Sequence, residues 1–440
     1  MASEESTSIR AWWTLATLVI LYIVSMLDRQ IIALLINQIK TTLRITDLQV
    51  SLVYGLAFAV FFCLAGLPIG YAIDRYARRP IIFAGVVVWS LATAGCGLAT
   101  QYWHLAVSRF AVGAGEAVLS PAAYSLLADI MPKRRLSLAL GIFGIGGAVG
   151  TGFALGLGGY IISRIPPAGL TTPFGHFEPW QLTFIIVSLP ALLLVPLVFT
   201  FPEPKRRDVV AIQKPGIGET LAFIRSRGRF FGRFFIGNGV LVLCSYGFAG
   251  WVPTFLVRRF GMTMPVASSW VAGCALLAVP VGLLMLGQIA DRLFVRGHRD
   301  SHMKLFSVVG MVYAVFSLLM ASAQTPTVAL IAIFIIFLFS GISAIAAAVP
   351  LTTPNQFRGQ VSSVYLLVTN LLGTGLGPTM VALFTDKYFH SDAMVGWSIA
   401  AVLCIFGPLS SILLLTARKP MLHAIDAATE WGDVPPATRR

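Results

Sequence analysis

Stretches of about twenty largely apolar residues recur from one end of this sequence to the other, and no water-soluble fold accommodates them. In hydrocarbon every backbone polar group must be satisfied within the element, so only helices and closed barrels can cross. Barrel strands alternate polar and apolar residues, and these runs do not. They predict helices near 11–39, 48–72, 80–100, 102–130, 136–163 and 180–201. A second set follows near 231–257, 264–290, 303–323, 326–350, 359–385 and 394–416. Composition agrees: charged residues make up 11% of the chain, against about a quarter in soluble domains, and mean hydropathy is +0.83. The segment Met1–Arg10 lacks the basic flank of a signal peptide, so no cleavage is expected.

A net charge of +14 raises nucleic acid as a partner, but the placement of the charges argues otherwise. With the N-terminus placed in the cytoplasm, twenty-four of the 32 Lys and Arg residues fall on the inner side and six on the outer, with Arg29 and Arg109 inside spans. That asymmetry predicts both termini in the cytoplasm, with anionic lipid headgroups as the partner of the basic loops. No nucleic-acid role is expected. The five cysteines lie in apolar runs and read as packing residues. The six histidines show no zinc spacing, so neither a metal nor a cofactor is expected.

The two sets of spans repeat. Gly70-Tyr-Ala-Ile-Asp74-Arg75 recurs as Gly287-Gln-Ile-Ala-Asp291-Arg292 at an offset of 217, which Trp180 and Trp397 share. Pro132 and Pro354 differ by 222, and Gly150-Thr151-Gly152 and Gly373-Thr374-Gly375 by 223. Ordered matches at nearly constant offset imply a duplicated unit. The expected organisation is a six-helix bundle over 1–201, a cytoplasmic linker over 202–230, a second bundle over 231–416 and a cytoplasmic tail over 417–440. Parallel repeats of this kind occur in transporters, with substrate bound between the halves near mid-membrane.

Only four ionisable residues lie deep in the spans, Asp28, Arg29, Arg109 and Glu116, and all are in the first half. Each costs at least about 2.5–3.5 kcal/mol in the bilayer centre unless it faces protein or water. Arg109 and Glu116 are nearly two turns apart on one helix face, with Asp28 between them in depth; about 10 Å separates the pair along the axis. Asp28 and Arg29 point about 100° apart, so one of them is expected to face the helix-four pair squarely. One reading is a static salt-bridge network. The other is a proton-linked switch in which Arg109 exchanges between Asp28 and Glu116 and the acid it leaves takes up a proton.

Gly70 to Arg79 resembles the loop motif between helices two and three of the major facilitator superfamily, and Pro202-Glu203-Pro204-Lys205 is similar to that superfamily's pattern after helix six. The resemblance implies an all-α membrane fold of twelve transmembrane helices in two six-helix bundles. It also implies a cytoplasmic gate of Gly70, Asp74, Arg75, Arg78, Arg79, Asp129 and Arg135 that latches an outward-facing state, with Asp291, Arg292 and Arg358 as a weaker counterpart. The alternative for these charges is plain topology. Within the superfamily, Arg109-Phe-Ala-Val-Gly-Ala-Gly-Glu116-Ala117, with Asp28-Arg29 and Trp89-Ser90, resembles the Spinster branch. That resemblance implies proton-coupled transport of lysophospholipids or sphingosine-phosphate-like lipids. Ser25-Met26-Leu27 departs from the branch's Asn-Tyr before Asp-Arg, so substrate head-group contacts there are not carried over.

Helix five carries nine glycines between Gly141 and Gly159, which suits close helix approach. The second half offers Asn238, Ser245, Tyr246, Asn370 and Thr374 as mid-span polar groups, with Trp251 and Phe255 as candidates for an apolar wall. Asn238 and Asn370 equally suit interhelical hydrogen bonds. The expectation is a monomeric, proton-driven alternating-access transporter of an amphipathic organic anion. Proton coupling falls to Asp28, Glu116 and Arg109, and substrate contact to Arg29, Arg109, Asn238, Tyr246, Trp251 and Asn370. A carrier for a small organic anion or hydrophobic drug is the alternative within the class, and an ion channel the alternative outside it. An enzyme is not expected, because no nucleophile–base pair or metal set lies at matching depth. Short loops point to a bacterial inner membrane.

Overall fold

Helix dominates wherever the sequence is apolar, and the computed structural model describes residues 9–173, 175–204, 216–354 and 356–433. Part of the basic linker (Lys205, Arg206, Arg207 and Lys214), the terminal Arg439 and Arg440, and the side chain of Asp74 lie outside the described residues.

The first six long elements are α1 (Ile9–Leu43), α2 (Asp47–Ser51, a π-helical turn Leu52–Ala57, then Phe58–Arg75), α3 (Arg78–Gly97), α4 (Tyr102–Glu116 and Leu119–Ile130), α5 (Lys133–Arg164) and α6 (Pro179–Leu194). Between α5 and α6 a hairpin pairs β1 (Leu170–Thr172) with β2 (Gly175–Phe177). A short helix, Ile217–Ser226, precedes α7 (Gly228–Phe260), α8 (Met264–Val295) and α9 (Ser301–Ser322). Then come α10 (Pro326–Leu338, a 3-10 turn Ile342–Ala347, and Ala348–Thr352), α11 (Arg358–Asn370, continued in π and α turns to Phe389) and α12 (Val395–Asp433).

Among the described residues, 11 helices are long and apolar enough to cross a membrane; Pro326–Leu338 is apolar but shorter. The span expected over 326–350 is therefore interrupted, at Phe339–Gly341. Helix α4 is interrupted too, at Ala117–Val118. The interruptions are offset by 222 to 223 residues, the spacing of Pro132 and Pro354, so the duplication extends to where helices break.

Two compact units result. One holds the described residues up to 204 together with Gly250–Leu277 and Thr385–Ala393; the other holds the rest. Residues where α7 meets α8, and where α11 meets α12, thus pack with α1–α6, so the unit boundary differs from that of the sequence halves. In the first unit α5 lies close along α1. A Cβ at Gly147 would come within 2.6 Å of Tyr22, and one at Gly158 within 2.9 Å of Ile31. Small residues there let the backbones approach. Trp89, Phe143 and Leu126 belong to the apolar core of this unit. Leu64, Leu91, Leu193 and Leu277 face outward, far more apolar surface than a soluble protein exposes.

Candidate functional site

The four deep charges come together in the first unit. Arg29 on α1 donates through Nε and Nη2 to Glu116 Oε2 on α4, at 3.1 and 2.7 Å. Arg109, one and a half to two turns earlier on α4, donates from Nη1 to the backbone oxygen of Asp28 at 3.2 Å. Arg29, and not Arg109, therefore holds Glu116, and both helix-one residues face α4. The long Arg29 side chain covers the angle between adjacent positions that a helical wheel treats as a separation.

The two acids are unequally satisfied. Glu116 pairs with Arg29 through Oε2, while its Oε1 closes no hydrogen bond of ordinary length among the described residues and Ser25 faces the group. Asp28 is fully buried, with Trp89 and Thr93 of α3 turned toward it. Yet Asp28 Oδ1 and Oδ2, Trp89 Nε1, Thr93 Oγ1 and Arg109 Nε and Nη2 close no hydrogen bond of ordinary length among the described residues. Two guanidiniums, two carboxyls and several idle donors thus share one largely buried volume.

The other expected substrate contacts are dispersed. In the second unit Asn238 is buried and donates from Nδ2 to Tyr365 Oη at 2.9 Å, and Asn370 donates to the Leu366 carbonyl at 2.9 Å. Tyr246 is partly exposed on α7, beside Gly377. Trp251 and Phe255, in the first unit, are packed core residues with at most 1% exposure. The Arg258 guanidinium lies 5.5 Å from the Trp251 ring.

Arg78, at the start of α3, is the centre of the expected gate region. Its Nε donates to Glu203 at 2.7 Å, its Nη2 to the Pro204 carbonyl at 2.9 Å and its Nη1 to Ser125 Oγ at 3.1 Å, and it also pairs with Asp129. Glu203 additionally accepts the backbone N–H groups of Arg78 and Arg79, at 3.1 and 3.0 Å. Burial pushes the Glu203 carboxyl upward, but the Arg78 and backbone donors outweigh it and hold the group below its ordinary range. Arg79 donates to the carbonyls of Val198 and Phe199. Gly70 has open space around it, Arg75 is exposed and rests on Tyr71, and Arg135 is half-buried. In the second unit Asp291 and Arg292 are exposed, and Arg358 donates to the Thr353 carbonyl. Asp300 instead joins Arg418 and Lys304, at 2.7 and 3.0 Å. These partners hold it below its ordinary range against the upward push of burial.

At the other end of the first unit is a cluster whose Lys and Arg residues the sequence alone presents only as topological charge. Arg258 donates from Nη1 and Nη2 to the two carboxylate oxygens of the fully buried Asp47, at 2.6 and 2.9 Å, and from Nη2 to Asn37 Oδ1 at 2.8 Å. Lys40 lies 3.3 Å from Asp47 and donates to Asp392 at 2.6 Å. Asp386 accepts the Leu48 N–H at 2.7 Å, at the start of α2. The carboxylates of Asp47, Asp386 and Asp392 approach within 4.8 Å of one another, a separation that suits a cation, but Arg258 and Lys40 already supply the countercharge. The available signal is four acids, Asp47, Glu178, Asp386 and Asp392, among six basic residues at that end.

A family model described as Major Facilitator Superfamily matches residues 18–378, well over half of the sequence. The chain belongs to that superfamily. It is a multi-pass membrane transporter rather than an enzyme, and it resembles the Spinster proteins. It is 25% identical over 389 residues to an MFS-type efflux pump of Mycolicibacterium smegmatis, covering 86% of this chain and 85% of that one. To protein spinster homolog 3 of Danio rerio it is 26% identical over 419 residues, covering 89% and 81%. A solved structure of a bacterial homologue of the human lysosomal transporter Spinster, inward-facing and unoccupied, aligns with a TM-score of 0.77 at 22% identity, over 97% of this chain and 99% of that one.

Proposed function

We propose that this transporter couples proton movement to alternating access and carries an amphipathic organic anion of the lysophospholipid or sphingosine-phosphate kind. The observation that carries the coupling is the unequal satisfaction of Asp28 and Glu116. Arg29 neutralises Glu116, while Asp28 is buried with no hydrogen bond to either oxygen. A charge left in that condition is costly, so the group is suited to hold the proton. If Arg29 leaves Glu116, the requirement passes to Glu116, and the proton's site and the conformation change together. One charge moved through the membrane field is worth about 2.3 kcal/mol per 100 mV, the energy that such a relay would couple to the conformational change.

In this reading α10 is the twelfth span despite its interruption, the bundles are two sets of six helices over 1–201 and 231–416, and both termini lie in the cytoplasm of a bacterial inner membrane. The Arg78 node then lies at the inner surface and the Asp47–Arg258 cluster at the outer. A monomer needing neither cofactor nor metal suffices for this mechanism. The amphiphile is favoured by the deep arginines Arg29 and Arg109 in the spans of the first half, with no deep charge in those of the second, and by the likeness to a spinster homologue. The likeness to an efflux pump supports the second reading, a carrier for hydrophobic drugs or small organic anions.

The test is uptake into proteoliposomes carrying an imposed pH gradient, with lysolipids, drugs, hydrophilic anions and neutral hydrophilic solutes in competition. Gradient-driven uptake that lysolipids alone inhibit is expected. Competition by neutral hydrophilic solutes and none by lysolipids would remove the substrate assignment.

A further inference from the structure

Helix α2 brings an aromatic ring to the same two arginines. Its π-helical turn Leu52–Ala57 ends at Phe58, and wide turns of this type are frequent at functional sites. Phe58 is 1% exposed. The Arg29 guanidinium lies 4.6 Å from the centre of its ring and the Arg109 guanidinium 5.5 Å. The backbone fixes the approach: a Cβ at Gly113 would lie 2.4 Å from the Phe58 carbonyl oxygen, so α4 presses directly on this residue one turn beyond Arg109. Phe62 stacks on Phe58 at 5.6 Å and lies 5.4 Å from Arg29, extending the aromatic surface along α2.

We propose that Phe58 is a positioning residue of the relay, a ring shared by both guanidiniums that holds Arg29 on Glu116 while keeping Arg109 beside Asp28. Two cations gathered in a largely buried volume with two acids can pair in more than one way. A π face attracts both without accepting a proton from either, so it biases the arrangement and leaves it reversible. Phe62 offers the next ring, a surface along which Arg29 can slide when it releases Glu116. The inference rests on the proton-coupled reading of Asp28 and Glu116, and its test requires no transported substrate.

The full-length protein in lipid nanodiscs, with no ligand added, is titrated by intrinsic tryptophan fluorescence, for which Trp89 beside Asp28 is a reporter. A transition abolished by Asp28→Asn and by Glu116→Gln identifies the relay. In Phe58→Leu and Phe58→Met, which keep apolar bulk and remove the π face, its midpoint moves about one pH unit upward, because Arg29 is less firmly held on Glu116. In Phe58→Tyr it stays near the wild-type position. A midpoint unmoved in both Leu and Met variants, or moved equally in the Tyr variant, overturns the assignment to the ring. A wild-type protein with no transition sensitive to Asp28 and Glu116 overturns the relay itself, and the role of Phe58 with it. Thermal melting identifies any variant that has not folded, and the Met variant decides if the Leu variant fails.

Discussion

Arg78 and Arg109 are both buried arginines of the first unit, at 1% and 0% exposure, and they are treated in opposite ways by their surroundings. Arg78 finds two carboxylates, a hydroxyl and a carbonyl, and its helix start gives two further N–H donors to Glu203. Arg109 makes one hydrogen bond, to a backbone carbonyl, and its Nε and Nη2 reach no acceptor among the described residues. A saturated site resists rearrangement, because any move breaks several charge-assisted bonds. A half-satisfied site has alternatives of similar energy. Burial alone therefore does not separate the two sites; unspent hydrogen-bonding capacity does.

Three substitutions test that contrast. Arg109→Gln is expected to lower gradient-driven transport on the order of 100-fold, a coupling-sized effect, while leaving the melting temperature near wild type, since an unmatched buried charge is removed. Equal losses of stability and transport would mean that the contrast is not real. Arg78→Ala should do the reverse: breaking this ion network costs about 3–5 kcal/mol, read as a fall in melting temperature or in folded yield. The Asp47–Arg258 cluster should fall between the two. Arg258→Gln leaves Asp47 without its main partner, and on the proposed orientation it loosens the outer end. An Asn37→Cys reporter should then react with an impermeant maleimide several-fold faster, on the order of 5-fold; an unchanged rate would make the cluster a fixed brace.

The smallest effect concerns pH and stability. Glu203 and Asp300 both lie below their ordinary range in the folded protein. Their contribution is complete above the unfolded values, about 4, and is lost as pH falls through the folded values. Melting temperature should thus be level from neutrality down to about pH 5 and decline below about pH 4, with a smaller decline in Glu203→Gln.

The membrane-spanning helices and the burial of Asp28, Arg109 and Glu116 could be read from the sequence because each rests on composition or spacing. The pairing could not. Which arginine meets Glu116 depends on the reach of the Arg29 side chain and on the closeness of α1 and α4, neither of which is a periodic signal. Phe58 is one apolar residue among many in its run, and only its place in space sets it apart. The Asp47–Arg258 cluster is hidden for another reason: a Lys or Arg at the end of a span reads equally as topological charge, whichever acid it meets. The interruption of α10 escaped because an apolar run with Gly341 and Pro350 has the length of a span whether or not its helix is continuous.

Proton coupling through Asp28 and Glu116 is the central claim, and luminal pH recorded by a trapped dye tests it most directly. Substrate is added to proteoliposomes with no imposed gradient, using wild type and Glu116→Gln side by side. A luminal pH change that follows substrate in the wild type and vanishes in Glu116→Gln is the predicted result. Substrate entering the wild type with no change in pH, or an equal pH change in the variant, would contradict it.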